Sequence, residues 1–102
     1  MSDNIFQNEI IEEEQTEVKE PDMYKFILHN DDYTTMDFVV LILKEVFNKS
    51  IIEATKIMLD VHKAGKGVVG IFTYDIAVTK ITQVELMARE RGFPLRAGME
   101  EE

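Results

Sequence analysis

The chain contains no cysteine. That excludes a disulfide framework and any cysteine-ligated metal site, and it suits a reducing compartment. No apolar run approaches the ~20 residues that cross a bilayer as a helix, so no membrane partner is expected. The first residues are acidic and carry neither a basic segment nor an apolar stretch behind it. A secretory signal is therefore not expected, and a cytoplasmic location is. Histidine occurs twice, as His29 and His62. Zinc takes three or four ligands and no HExxH spacing is present, so no metal or other cofactor is expected. No serine or threonine stands out beside a base, which leaves a nucleophilic triad without candidates. Gly65-Lys66-Gly67 lacks the upstream glycine and the following Ser or Thr of a phosphate-binding loop, and reads as a helix stop and a strand entry.

What remains is one domain of 102 residues with an uneven charge. A chain of this length buries roughly 60–70% of its unfolded surface, enough for a modest core. The formal net charge is −9. Residues 1–22 hold eight acids and one base, Lys19, while residues 23–102 are nearly balanced, with twelve acids and ten bases. The acidity therefore belongs to an N-terminal extension, 1–22, expected to be disordered, and the folded core is expected over 23–102. A coil of that length spans roughly 25 Å. Its sign repels phosphate backbones, so nucleic acid is not an expected partner. Ile5, Phe6, Ile10 and Ile11 interrupt its polarity, either as stray apolar residues or as a segment that docks on a partner.

Hydrophobic periodicity predicts six elements. Met23–Asn30 alternates as a strand. Thr34 can cap a helix that carries Met36, Val39, Val40, Leu43 and Phe47 on one side and breaks at Asn48-Lys49. Ser50-Ile51-Ile52-Glu53 is a capping box for a second helix, with Ile51, Thr55, Met58, Leu59 and His62 along one side and Gly65 at its end. Gly67–Thr73 reads as a strand. Thr73 caps a third helix with Asp75 in its first turn and a buried stripe of Ala77, Ile81, Val84 and Ala88, stopped by Gly92. Phe93–Met99 is a last strand, with Pro94 suiting an edge. The predicted fold is α+β, β-α-α-β-α-β, a three-stranded antiparallel sheet covered by three helices.

One junction stands out. Leu28-His29-Asn30-Asp31-Asp32-Tyr33-Thr34-Thr35-Met36 puts three consecutive polar side chains between an apolar strand and a helix start. Asn30, Asp31 and Asp32 are all residues that bond their own backbone in turns and caps. Three in a row exceed what one turn requires, and such a corner can aim oxygens at one small cationic group. A calcium loop needs alternating oxygens, a central glycine and a distal Glu, which this segment lacks. Met58, Val61 and His62 share one helix face. By default they are core filling and a solvated histidine; with Met36 they can instead line an adaptable apolar pocket beside the polar corner.

At these residues the chain resembles a known family. Tyr24–Val39, with its His29-Asn30-Asp31-Asp32-Tyr33-Thr34-Thr35-Met36 core, is similar to the signature of ClpS, the Clp protease adaptor. Met58-Leu59-Asp60-Val61-His62 followed by Gly65-Lys66-Gly67 resembles the family's second block. Val69-Gly70-Ile71-Phe72-Thr73 with Ala77 and Lys80 resembles the third, and Ala88-Arg89 and Pro94-Leu95 close the match. The resemblance covers about residues 22–100.

The resemblance implies an adaptor and not an enzyme. Members recognise proteins that begin with a bulky apolar residue (Leu, Phe, Tyr, Trp), an N-degron, and pass them to a Clp-type AAA+ unfoldase. Residue by residue, it implies that Asn30, Asp31 and His62 surround the substrate's α-amino group, that Asp32 and Thr34 support the loop and pocket mouth, and that Met36, Val39, Met58, Val61 and Leu95 line the side-chain pocket. Tyr33, Asp75 and Lys80 match positions of unfoldase docking. Val78 stands where the family commonly has an acidic residue. A monomer is expected. The competing expectation is a module of the same fold that docks on another partner without reading N-termini.

Overall fold

The computed structural model describes residues 20–102. The N-terminal extension inferred from charge lies, but for its last three residues, outside the described residues. Six elements follow in the order β1 (Met23–His29), α1 (Met36–Glu45), α2 (Ile51–Ala64), β2 (Lys66–Thr73), α3 (Tyr74–Glu90) and β3 (Arg96–Glu101). The sheet is antiparallel throughout with strand order β2-β1-β3, so β1 is central. Met23 pairs with Thr73 at one end of β1, and His29 pairs with Lys66 and Arg96 at the other. The β1–β2 register slips between Phe26 and Ile27, which leaves Val69 as an extra, buried residue on β2. One residue opposed to none is a bulge, and it adds local twist.

Phe26 and Leu28 of β1, Phe38, Ile42 and Leu43 of α1, Ala54 and Val61 of α2, and Val84 and Ala88 of α3 meet in one core with Val69 and Leu95. All three helices thus bury a stripe against the same sheet, which is the layered solution for one-sided elements. Among the described residues no helix is long and apolar enough to cross a membrane.

Several boundaries differ from the sequence expectation, each for a local reason. Thr35, not Thr34, caps α1: its hydroxyl accepts the Phe38 N–H at 3.1 Å. Thr34 is already engaged by Asp31, through its N–H at 2.7 Å and its hydroxyl at 2.7 Å. The buried face of α1 is Phe38, Val39, Ile42 and Leu43. Met36 remains 43% exposed, at the lip of a cavity. On α2 the buried residues are Ala54 and Val61, whereas Ile51, Leu59 and His62 face outward. The true buried stripe is rotated by about one position from the expected one, because Ala54 is the small residue that lets the helix approach the core. Thr73 does occupy the N-cap of α3 but makes no side-chain cap bond.

The last strand begins at Arg96, so Pro94 precedes it. Phe93 leaves the sheet and packs on Phe38, ring centroids 4.9 Å apart. The capping box of α2 forms in full: Ser50 Oγ accepts the Glu53 N–H at 3.1 Å, and Glu53 Oε1 accepts the Ser50 N–H at 3.2 Å.

Candidate functional site

The loop between β1 and α1 begins where β1 runs out of partners. Asp31 organises it. Its Oδ1 accepts the N–H groups of Tyr33 at 2.8 Å and Thr34 at 2.7 Å, and its Oδ2 accepts the Thr34 hydroxyl at 2.7 Å. An aspartate that bonds the backbone two and three residues on folds the chain into a tight turn. Burial alone pushes the Asp31 carboxyl up, but the three hydrogen bonds outweigh it and hold the group below the usual carboxylate range. Hydrogen bonds to the charged form favour that form, so the carboxylate stays ionised.

The loop is tied to α2 from the other side. Gly65 ends α2 in the left-handed conformation, φ +89°. Its carbonyl oxygen accepts the Asn30 N–H at 2.9 Å. This bond brings the Asn30–Asp31 corner to the C-terminal turn of α2, where His62 stands.

Between them lies a cavity of about 400 Å³. Asn30, Asp31, Asp32, Tyr33, Thr34 and Thr35 come to it from the loop, Met36 and Val39 from α1, and Met58, Val61 and His62 from α2. The polar atoms are on the loop and at His62; the thioethers and branched side chains come from the two helices. The volume falls within the ~300–1,000 Å³ typical of small-ligand clefts. Such an arrangement can take a cation at its polar side and an apolar group at its helical side in one step.

Nine of the ten residues expected around the amine, the pocket and its support therefore meet at one cavity. Leu95 does not. It is 1% exposed, belongs to the core, and is not among the residues lining the cavity. It follows Pro94 on the approach to β3, and that segment turns it inward to the core. Thr35 is the lining residue that the sequence reading passed over; its signal is the Asp-x-x-Thr spacing of Asp31 and Thr34, which uses up Thr34 and leaves the cap to its neighbour.

The three expected docking residues are separated. Tyr33 is 76% exposed at the edge of the cavity. Asp75 lies beyond Thr73, at the opposite end of the sheet, in a cleft with Pro21, Asp22, Tyr24, Thr73 and Tyr74. A seven-residue strand puts these two ends about 20 Å apart. Lys80 is half-buried and engaged within the molecule. Its Nζ donates to the Val46 carbonyl oxygen at 2.9 Å and stands 5.1 Å from the Phe47 ring centroid and 5.8 Å from that of Phe72. Among the described residues no three His, Cys, Asp or Glu side chains are grouped to hold a metal ion.

Comparison with known proteins places this geometry. The family model described as ATP-dependent Clp protease adaptor protein ClpS matches residues 19–98. The chain is 57% identical over 96 residues to the ATP-dependent Clp protease adapter protein ClpS of Syntrophus aciditrophicus, covering 94% of this chain and 90% of that one. It is 64% identical over 90 residues to the ClpS adapter of Acetivibrio thermocellus, covering 88% and 91%. Among solved structures, Agrobacterium tumefaciens ClpS2 bound to L-phenylalaninamide superposes with a TM-score of 0.79 at 40% identity, covering 81% of this chain and all of that one. The β-α-α-β-α-β chain with its loop-and-helix cavity belongs to the ClpS family of ATP-dependent Clp protease adaptors.

Proposed function

We propose that this chain is an adaptor that recognises proteins by a bulky hydrophobic N-terminal residue and delivers them to a Clp AAA+ unfoldase and its protease. The observation that carries the reading is the single cavity: Asn30, Asp31 and His62 stand at its polar side, and Met36, Val39, Met58 and Val61 at its apolar side. L-phenylalaninamide, the ligand of the Agrobacterium relative, has the same two parts, a free amine and an apolar side chain. Asn30, Asp31 and His62 surround the α-amino group, with Asp32 and Thr34 supporting the mouth. The amine needs acceptors. The Asp31 carboxylate and the Asn30 side-chain oxygen supply two, and a His62 ring nitrogen is the third candidate.

Magnitudes favour joint reading. Burying a Leu or Phe side chain contributes about 1.5–3 kcal/mol. Each hydrogen bond from a charged amine contributes about 1.5–3 kcal/mol. Two or three such bonds plus the side chain sum to about 4.5–12 kcal/mol, and after an association cost of at least ~4 kcal/mol only the upper end of that range reaches the ~8 kcal/mol of a micromolar complex. Neither half does so alone. Internal apolar segments lack the amine, and lysine side chains lack the adjacent apolar group.

Delivery requires a second surface. Tyr33, Asp75 and Lys80 match the family's unfoldase-docking positions. Asp75 with its neighbouring cleft lies at the opposite end of the sheet from the peptide cavity, so substrate and unfoldase can bind together. The test is a fluorescence-anisotropy titration of a Phe-initiated peptide, free and N-acetylated, followed by degradation of a Phe-initiated reporter by the unfoldase and peptidase. Binding of the free peptide alone, with adaptor-dependent degradation, is expected. Equal binding of both peptides would point to a module that does not read N-termini.

A further inference from the structure

The Gly65-Lys66-Gly67 segment carries the chain from α2 into β2 and contacts one lining residue from each half of the cavity, Asn30 and Val61. Gly65 adopts φ +89° with nothing within 4 Å of where a Cβ would stand. Its requirement is conformational, since residues with a Cβ are disfavoured in the left-handed region. In that conformation its carbonyl oxygen takes the Asn30 N–H at 2.9 Å.

Gly67 has a different requirement. A Cβ there would lie 2.8 Å from Val61 Cγ2, 3.5 Å from Val61 N and 3.7 Å from Val61 Cα. The strand backbone thus presses directly on a residue that lines the cavity. Valine in a helix has one strongly preferred χ1, so the methyl cannot rotate away cheaply. Val61 is 2% exposed. On its other sides it meets close-packed core, and the open volume beside it is the cavity itself. A methyl added at Gly67 therefore pushes Val61 toward the cavity it lines.

We propose that these two glycines are positioning residues with separate duties: Gly65 sets the amine-binding corner through Asn30, and Gly67 holds Val61 back and so sets the largest first residue the pocket accepts. The inference rests on the N-terminus-reading function proposed above. A glycine needed only for folding would lower the melting temperature and leave the ranking of ligands alone. A positioning glycine changes the ranking, or changes all affinities in parallel, according to which half it touches.

The experiment uses the full chain, urea melts to verify folding, and peptides that differ only in a first residue of Leu, Phe or Trp, with an acetylated Phe control. Gly67→Ala is expected to weaken Trp about tenfold more than Leu, the order expected when a pocket changes by one methyl-sized group. Gly65→Ala is expected to weaken all three by a common factor, with the wild-type Trp-to-Leu ratio. Adding Val61→Ala to Gly67→Ala removes the struck methyls and is expected to bring the Trp-to-Leu ratio back toward wild type. A folded Gly67→Ala variant with wild-type ratios would overturn the inference, as would a double variant that fails to recover them. If Gly67→Ala alone does not fold, recovery of folding and of Trp binding in the double variant supports the steric relation, and failure of both overturns it. Equal binding of free and acetylated Phe peptides by the unmodified chain would instead remove the function, and the inference with it.

Discussion

Three hydrogen bonds converge on the Asp31 carboxylate, two at Oδ1 and one at Oδ2. A carboxylate offers about four lone-pair sites, so one on Oδ2 stays free of these bonds; in the proposed function it takes the ligand amine. The same three bonds lower the pKa. A lowered folded-state pKa contributes stability that is complete above the ordinary carboxylate range and lost as pH falls through the lowered value. Asp31→Asn keeps an oxygen for the turn and removes the charge. It is expected to weaken free-amine peptides by roughly 10- to 150-fold, the equivalent of ~1.5–3 kcal/mol, with little change in the Phe-to-Leu ratio. Its urea-melt stability is expected to lose the corresponding decline in acid. Met36 poses the complementary question. It is long, unbranched and half-exposed at the lip, the position from which a thioether can block a β-branched first residue. Met36→Ala is expected to admit peptides beginning with Ile or Val, read by competition titration; unchanged discrimination would remove Met36 from that role. The cluster of Asn30, Asp31 and Asp32 was conspicuous in the sequence because it exceeds what a turn needs. The threefold use of Asp31, and the displacement of the cap to Thr35, follow from a local contest for hydrogen bonds that spacing alone does not decide.

At the scale of elements, α2 carries the strongest local signal. Its capping box reads directly from Ser50-Ile51-Ile52-Glu53 and forms with both reciprocal bonds. Ser50→Ala is expected to lower unfolding stability by ~1 kcal/mol, the usual worth of such a cap, and to leave peptide affinity unchanged. Denaturant melts and a titration on the same sample separate the two. α1 ends differently. Its C-cap carbonyl at Val46 is taken by Lys80 from α3, a long-range partner for a helix terminus with unsatisfied acceptors. No pattern in the sequence links residues 46 and 80. Lys80→Gln is expected to cost about 1 kcal/mol of stability by exchanging a charged hydrogen bond for a neutral one, whereas Asp75→Asn, on an exposed helix start, is expected to stay within about 0.5 kcal/mol. Loss of delivery in the Asp75 variant therefore reports docking more cleanly than loss in the Lys80 variant. β3 has the weakest boundary signal, running to Glu101 where the apolar pattern stops at Met99. Its last residues, Glu100 and Glu101, pair with Lys25 and Tyr24. Charged residues suit an edge strand but carry no hydrophobic alternation, so the periodic pattern ended two residues early. The buried face of α2 departs from the hydrophobic pattern for the opposite reason: Ile51 and Leu59 have the character of core residues, yet the packing takes the smaller Ala54.

For the whole molecule, charge divides the chain where hydrophobic pattern does. The first 22 residues carry most of the −9 net charge, and the family match begins at residue 19. The extension is thus proposed to act in handing substrate over and not in binding it. Deleting residues 1–20 is expected to keep peptide affinity within about twofold, the precision with which distant sites add, and to impair delivery in a degradation assay. Full delivery by the shortened chain would reject that role. Element order and type were legible because five of six segments carry a cap, a glycine stop or a clear period. The joining of Asn30 to α2 through the Gly65 carbonyl was not, since it depends on how two distant segments are brought together by the sheet. In the proposed function, that junction is what lets one cavity receive both an amine and a side chain. Its most direct test is an NMR titration of the labelled chain with L-phenylalaninamide, following the backbone amides of residues 30–36 and 58–62. One binding isotherm shared by both segments is expected; movement of only one segment, or two isotherms with different midpoints, would contradict a cavity that reads both features at once.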